Sequence, residues 1–430
     1  MEKYLGYRCS LCGHEYGPQE VTYTCPRDGG NLDVVLDVQA IHKKLGPAGP
    51  GTGGEPSLWR YLSLLPVSDP GGLATPLHAA GWTPVFELPR LAQALGLSLL
   101  WLKDESRNPT ASFKDRASAV VVGRAREIGA EVVVTASTGN AGAALAGMSA
   151  AIGQKAVIFA PKSAPPAKVA QLIVFGAQVI LVDGTYDDAF DLTIQAANEF
   201  GWYCRNTGYN PFTAEGKKTA ALEIWEWFSC HVSSKTCQSS SEAGRITPGA
   251  DMSQLAIFVS VGDGNIISGI HKGFRDLSAL GWIEGLPRIF GVQAEGSAAI
   301  ANAFFAGTET IVPVQATTLA DSISVDLPRD GVRAVRAARQ TGGQYILVSD
   351  AEILNGIAAL GPNGIFAEPA GATAYAGLVK AVGQGLVGAS DLVLVMNTGS
   401  GLKDVRAAMQ AVPPAPVIEP RLEAVRALLE

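Results

Sequence analysis

The sequence is short of the features that mark several large protein classes. Six cysteines in 430 residues are too few for the disulfide framework of a small secreted domain. No apolar run reaches the roughly 20 residues of a membrane span, and Met1-Glu2-Lys3-Tyr4 leads into a cysteine motif with no apolar signal region. Positive charge is not in excess: 33 Lys and Arg against 40 Asp and Glu leave a net −7, which argues against nucleic-acid and anionic-membrane surfaces. The expectation is a soluble, cytoplasmic protein whose partner is a small molecule, with no nucleic acid and no membrane. What is present, 47% hydrophobic residues and 49 glycines, suits an α/β protein of two or three domains.

Three of the cysteines are nonetheless patterned, as Cys9-Ser-Leu-Cys12-Gly13 and, after twelve residues, Cys25-Pro-Arg-Asp28-Gly-Gly. A zinc ribbon needs four tetrahedral ligands on two such knuckles. Asp28 stands where the fourth cysteine belongs. Aspartate ligates zinc, so the spacing admits a Cys9, Cys12, Cys25, Asp28 site, and equally a ribbon held by packing without metal; His14 is a weaker substitute ligand. Cys230, His231 and Cys237 lie in a polar stretch, residues 229–252, that reads as a surface loop rather than a second metal site.

Residues 46–75 are rich in Gly, Pro and Ser and read as an irregular arm, with Trp59-Arg60-Tyr61-Leu62 buried against the next domain. Beyond Thr83-Pro84 strands alternate with helices. Strands are expected at 97–103, 131–136, 155–159 and 178–182, and helices at 117–128, 141–152, 167–175 and 186–200. This spacing implies a mostly parallel sheet covered on both faces.

Four segments carry chemistry. In Lys103–Ala117, Asn108-Pro109 makes a turn, Thr110, Ala111 and Ser112 follow, and Phe113-Lys114-Asp115-Arg116 opens a helix. Lys114 then sits beside an aromatic ring and the positive end of the helix dipole, which favour the neutral amine, the form that makes Schiff bases. The competing reading is a surface lysine paired with Asp115 or Glu105. A second strand ends in Ser137-Thr138-Gly139-Asn140, a plain helix N-cap or an anion-holding turn. A third, at 257–261, runs into Gly262-Asp263-Gly264-Asn265-Ile266 and a helix at 271–277. Its glycines let successive amides face one phosphate, while lacking the Gly-Lys-Ser/Thr ending of a nucleotide loop. Asp263 would repel that phosphate unless it turned away or paired with a cation such as Lys272. The fourth, a strand at 392–396, precedes Asn397-Thr398-Gly399-Ser400-Gly401-Leu402-Lys403-Asp404, by itself an ordinary turn.

In this order the four segments resemble the threonine synthase family of fold-type II pyridoxal-phosphate enzymes, whose lysine segment reads Asn-Pro-Thr-x-Ser-Phe-Lys-Asp-Arg and whose last loop reads Thr-Gly-x-Gly-Leu-Lys-Asp. The resemblance runs from the ribbon to about Asp404 and includes residues 210–219, 320–323 and 366–371. It implies two three-layer α/β/α domains with mostly parallel sheets plus a small N-terminal β ribbon. The ribbon would span 1–37, an arm 38–82, the large cofactor domain 83–136 and 216–411, a small mobile domain 137–215 and a tail helix 412–430, the last docked on its own body or on a partner.

By the same resemblance Lys114 is the Schiff-base and proton-shuttling lysine. Phe113, Asn140, Gly262, Asp263, Gly264, Asn265, Ile266 and Thr398 contact pyridoxal 5'-phosphate, and Ser137, Thr138 and Gly139 bind an amino-acid substrate. A homodimer is also expected; the resemblance supports the shape of the ribbon but not a structural zinc in it, which stays an alternative beside the metal-free ribbon. Asn140 would meet the cofactor's phenolic oxygen, Thr398 its pyridine nitrogen, and Glu368-Pro369 either its ring face or nothing but a turn. The implied reaction converts O-phospho-L-homoserine and water to L-threonine and phosphate, making the protein a carbon-oxygen lyase acting on phosphates. The chain departs from the family where the leaving phosphate is held, at Ala141, Gly208, Thr213 and Asp263, with Arg205, Lys217 and Lys218 as basic residues nearby. A serine/threonine dehydratase or a cysteate-synthase-like β-replacement enzyme is the alternative.

Overall fold

The computed structural model describes residues 4–46, 49, 54–137, 139–164, 166–231 and 250–429; Thr138 and Cys237 lie outside them. The chain opens with an antiparallel ribbon, β1 (Tyr4–Cys9) between β2 (Glu15–Tyr16) and β3 (Leu32–Leu36). Alternation in β3 sends Leu32, Val34 and Leu36 inward. Tyr4 meets Phe212 edge-on at 6.3 Å, so the ribbon shares the core of the main body. A helix, α1 (Val38–Leu45), follows. The arm is more regular than expected: Ser57 Oγ accepts from the Trp59 N–H at 3.2 Å and starts a 3-10 helix, Leu58–Leu64, that buries Trp59 and Tyr61.

The body then alternates through β4 (Val85–Glu87), α2 (Pro89–Leu95), β5 (Leu99–Asp104), α3 (Lys114–Glu127), β6 (Val132–Ala136), α4 (Asn140–Ala150), β7 (Lys155–Pro161), α5 (Pro166–Val174), β8 (Gln178–Val182), α6 (Tyr186–Phe200), β9 (Tyr203–Cys204) and α7 (Phe212–His231). After residue 249 come β10 (Ala250–Asp251), β11 (Leu255–Ser260), α8 (Asn265–Ala279), β12 (Ile283–Gly285), β13 (Arg288–Ala294), α9 (Gly331–Gln340), β14 (Tyr345–Val348), α10 (Pro369–Gly383), β15 (Leu392–Asn397) and α11 (Leu422–Leu429), with further helices between them at Ala299–Phe305, Asp350–Leu360 and Val405–Gln410.

Two sheets result. The larger runs β14-β13-β11-β15-β5-β4, parallel except for the β4 edge, and the smaller runs β8-β7-β6-β9, all parallel. Every residue of β11 is buried, as expected of a strand covered on both faces. Strand β6 pairs with β7 and β9, so it belongs to the smaller sheet, whereas the sequence reading left 131–136 with the larger unit. Helix α8 begins at Asn265, not 271, because its first turn is the glycine-rich loop itself. The tail helix α11 buries none of its residues; it does not dock on its own body. Among the described residues no helix is long and apolar enough to cross a membrane.

Candidate active site

Lys114 is the first residue of α3, and its place is set by its neighbours. Arg116 is fully buried and held by Glu105 (Nε to Oε2, 2.7 Å) and Glu223 (Nη1 to Oε1, 2.5 Å), with Lys103 on Glu223 at 2.7 Å. Asp115 turns back to accept from the Thr110 N–H at 2.6 Å and from the Thr110 hydroxyl. Both carboxylates that would make Lys114 an ordinary paired lysine are therefore engaged elsewhere, and among the described residues Lys114 makes no ion pair. Ala111 sits at φ +63°, a conformation non-glycine residues adopt at a cost. It is held there because its carbonyl accepts from the Ser400 N–H at 3.1 Å, while the Phe113 N–H donates to the Thr398 carbonyl at 2.9 Å. Phe113 was expected at the cofactor; it is instead wholly buried, 5.6 Å from the Arg116 guanidinium, and is not among the residues lining the cavity. It anchors the lysine loop.

Lys114, Ser137, Gly139, Asn140, Gly262, Asp263, Gly264, Asn265, Ile266 and Thr398 line one cavity of about 410 Å³, at the carboxyl ends of β5, β6, β11 and β15, where ligands of parallel α/β sheets bind. Burial pushes the Lys114 amine below its usual value; Glu368 works against the shift and Arg205 adds to it. Thr398 is buried.

The glycine turn is shaped by close approach. A Cβ on Gly262 would come within 2.8 Å of the Ile323 Cα, and Gly264, at φ +87°, lies against the Asp330 carbonyl. The chain thereby enters α8, whose free amides suit an anion. Burial raises the Asp263 carboxyl, and its Oδ1 accepts from the Arg329 N–H at 3.3 Å. The expected Asp263–Lys272 pair is absent, because Lys272, two turns along α8, bonds Glu215 of α7 (3.0 Å) and Asp276 (2.9 Å). Asn140 donates to both oxygens of Glu368, at 2.8 and 3.0 Å, so Glu368 is more than a turn residue.

Arg329 is a cavity residue that sequence reasoning missed. It pairs with Asp187 at 2.6 Å and covers the Phe190 ring at 4.5 Å, both on α6. Nothing in its local sequence marks it.

In the ribbon, ligand atoms of Cys9, Cys12, Cys25 and Asp28 all lie within 4.8 Å of one another. Cys12 Sγ and Cys25 Sγ are 3.8 Å apart, about the edge of a tetrahedron with Zn–S bonds of roughly 2.3 Å. The Leu11 and Gly30 amides donate to Cys9 Sγ (3.3 Å) and Asp28 Oδ1 (2.9 Å).

A cavity with an amine in no ion pair among the described residues at one helix start and an amide-rich turn at another suits a cofactor carrying both an aldehyde and a phosphate. The donor set fits pyridoxal phosphate, since the glycine turn and the side-chain-uncapped start of α8 both line the cavity. A family model described as "Pyridoxal-phosphate dependent enzyme" matches residues 77–399. The chain is 36% identical over 407 residues to the threonine synthase of Methanocaldococcus jannaschii, covering 94% of each, and 35% identical over 425 residues to that of Methanosarcina acetivorans, covering 97% of each. The fold is similar to tomato (Solanum lycopersicum) threonine deaminase isoform 2, with TM-score 0.62, 21% identity and coverage of 86% of this chain and 92% of that one. It is also similar to Escherichia coli diaminopropionate ammonia lyase, with TM-score 0.63, 20% identity and coverage of 86% and 95%. These are fold-type II enzymes, as the sheet topology requires. The chain belongs to the pyridoxal-phosphate-dependent enzymes and, within them, to the threonine synthase family.

Proposed function

We propose that the protein is a threonine synthase, a carbon-oxygen lyase that turns O-phospho-L-homoserine and water into L-threonine and phosphate. The observation that carries the reading is Lys114: an amine at a helix start, in no ion pair among the described residues, facing the glycine turn and Thr398 across one cavity. The names of the relatives agree with it. Pyridoxal phosphate, when bound, supplies an electron sink that weakens the bonds at the amino acid's Cα.

The residues divide the remaining work. The amides of Gly262, Asp263, Gly264, Asn265 and Ile266 hold the cofactor phosphate, Asn140 and Thr398 orient the ring, and Phe113 fixes the loop that carries Lys114. Ser137, Gly139 and Thr138, the last outside the described residues, hold the substrate carboxylate. Lys114, whose amine burial shifts toward its neutral form, accepts a proton from Cα and returns one in turn. The Cγ–O bond breaks with its electron pair leaving on phosphate, and water adds at Cβ. We further propose that the unit carrying the smaller sheet moves toward the larger one to exclude water, that Cys9, Cys12, Cys25 and Asp28 hold zinc, and that the enzyme is a cytoplasmic homodimer.

The test is to incubate the protein, with pyridoxal phosphate added, with O-phosphohomoserine, O-phosphoserine, threonine and serine, and to measure phosphate, ammonia and amino acids. Threonine and equimolar phosphate from the first substrate are expected. Ammonia and 2-oxobutyrate from threonine alone would overturn the reading.

A further inference from the structure

Seven lysines and arginines are buried among the described residues, and their partners sort them sharply. Lys103, Arg116, Lys218, Lys272 and Arg333 each contact a carboxylate. Lys217 and Arg205 do not. The only hydrogen bond of the Lys217 ammonium among the described residues is to Asn265 Oδ1 at 2.6 Å. Arg205 gives Nε to Ser118 Oγ (3.2 Å) and Nη1 to Thr207 Oγ1 (2.7 Å), and its Nη2 is buried without a hydrogen-bond partner among the described residues. Burial without a counter-ion is costly for a cation. A protein that neutralises five such groups and leaves two unneutralised side by side has its missing charge in a ligand.

The place of the two cations says which ligand. Lys217 lines the cavity and Arg205 stands behind Thr207, which also lines it. Gly269 on α8 lies so close that a Cβ there would come within 2.6 Å of the Lys217 Cβ, so the lysine stem is pinned between α7 and α8 with its head at the start of α8. Asp330 is taken up by Arg333 and Asn265, and Asp263 reaches Lys217 in no ion pair. The other candidates for holding a leaving phosphate fail on geometry. Thr213, one turn before Lys217 on α7, spends its hydroxyl on the Asn210 carbonyl at 2.7 Å; Gly208 and Ala141 have no donor side chain. Lys218 faces away, bonded to Glu215 (2.5 Å) and Asp276 (2.9 Å).

We propose that Lys217 is the specificity-determining residue that receives the substrate's phosphate, with Arg205 supplying a second positive charge through Thr207. This rests on the threonine synthase reading. As the Cγ–O bond breaks, negative charge grows on the departing phosphate, and a fixed ammonium stabilises that change without reorganising. Burial, Arg205 and Lys114 hold the Lys217 amine well below its usual value, and a bound dianion opposes that shift. The glycine turn holds the cofactor phosphate through neutral amides, which leaves the two cations for the second phosphate.

The experiment uses Lys217→Gln, Lys217→Met and Lys217→Arg in the full chain. Three quantities are read: affinity of the apo protein for pyridoxal phosphate, affinity of the holoenzyme for inorganic phosphate by calorimetry, and KM for O-phosphohomoserine. Cofactor affinity within about 3-fold of wild type is expected, with inorganic phosphate binding and KM weakened about 10- to 100-fold in the Gln and Met variants and partly restored by Arg. The apo Met variant should melt no lower than wild type, because a buried amine with no carboxylate partner among the described residues has been removed; a merely structural lysine would give the opposite. Loss of cofactor affinity with phosphate binding intact would assign Lys217 to the cofactor and overturn the proposal, as would unchanged phosphate binding. If the wild-type enzyme makes no threonine, the functional reading fails, while phosphate binding still decides the role of Lys217.

Discussion

The side-chain nitrogen of Asn140 lies 2.8 and 3.0 Å from the two carboxylate oxygens of Glu368, joining the turn after β6 in one sheet to the start of α10 behind the other. The contact sets a buried carboxylate beside the reactive lysine. Burial raises the Glu368 carboxyl and Lys114 opposes that shift; burial lowers the Lys114 amine and Glu368 opposes that one.

Glu368→Gln should therefore lower the Lys114 pKa further, since the carboxylate's support of the ammonium is lost while burial and Arg205 remain and only Asp263 still raises it. Cofactor uptake needs the neutral amine, which prevails above its pKa. The pH profile of pyridoxal-phosphate binding to the apo protein should move to lower pH by roughly one unit; an unmoved profile would separate the two residues electrostatically.

Glu223→Gln tests the cluster that sets the start of α3. Burial alone would raise Glu223, but Arg116 and Lys103 prevail and hold it down at about 2. A depressed carboxylate adds stability that is full above its unfolded value, near 4.5, and lost as pH falls toward 2. The variant should be about 3–5 kcal/mol less stable at neutral pH, with the gap to wild type narrowing below pH 4.5 in denaturant melts.

Gly216→Ala addresses the crossing of α3 and α7. A Cβ there would overlap the Arg116 carbonyl oxygen and come within 2.7 Å of the Ala117 Cα, and backbone cannot step aside cheaply. A loss of about 1–3 kcal/mol or more is expected, with cofactor affinity falling as Lys114 and Lys217 are displaced together.

Zinc analysis tests the ribbon. Purified protein should hold about one zinc per chain, and Cys12→Ser should lose it. Equal zinc in both would remove the metal. Gly30→Ala should weaken binding too, because a Cβ there would lie 2.7 Å from Cys9 Sγ. The knuckle is tied to the body through Asn31, whose amide donates to the carbonyls of Gly208 (2.5 Å) and Arg329 (3.0 Å), so metal loss should also raise KM.

What could be read from the sequence was local. Helix α6 has the expected bounds, 186–200, because Thr185 and Asp188 make a capping box and Gly201 ends the helix at φ +67°. The turn at Asn108 and the start of α3 follow from residues within one turn of Lys114. What could not be read depends on residues distant in sequence. Glu105, Arg116 and Glu223 meet only through the packing of α7 on α3, the Asn140–Glu368 contact spans 228 positions, and the sheet that takes β6 is decided by partners that follow it. Phe113 is buried under Arg116, three positions on, and the first turn of α8 is hidden in the sequence by its glycine-rich start.

The most direct measurement of the central claim is borohydride reduction of the holoenzyme followed by peptide mass spectrometry. A single phosphopyridoxyl group on Lys114, absent from Lys114→Ala, is the expected result. A label on Lys217 or on another lysine, or none, would contradict the account.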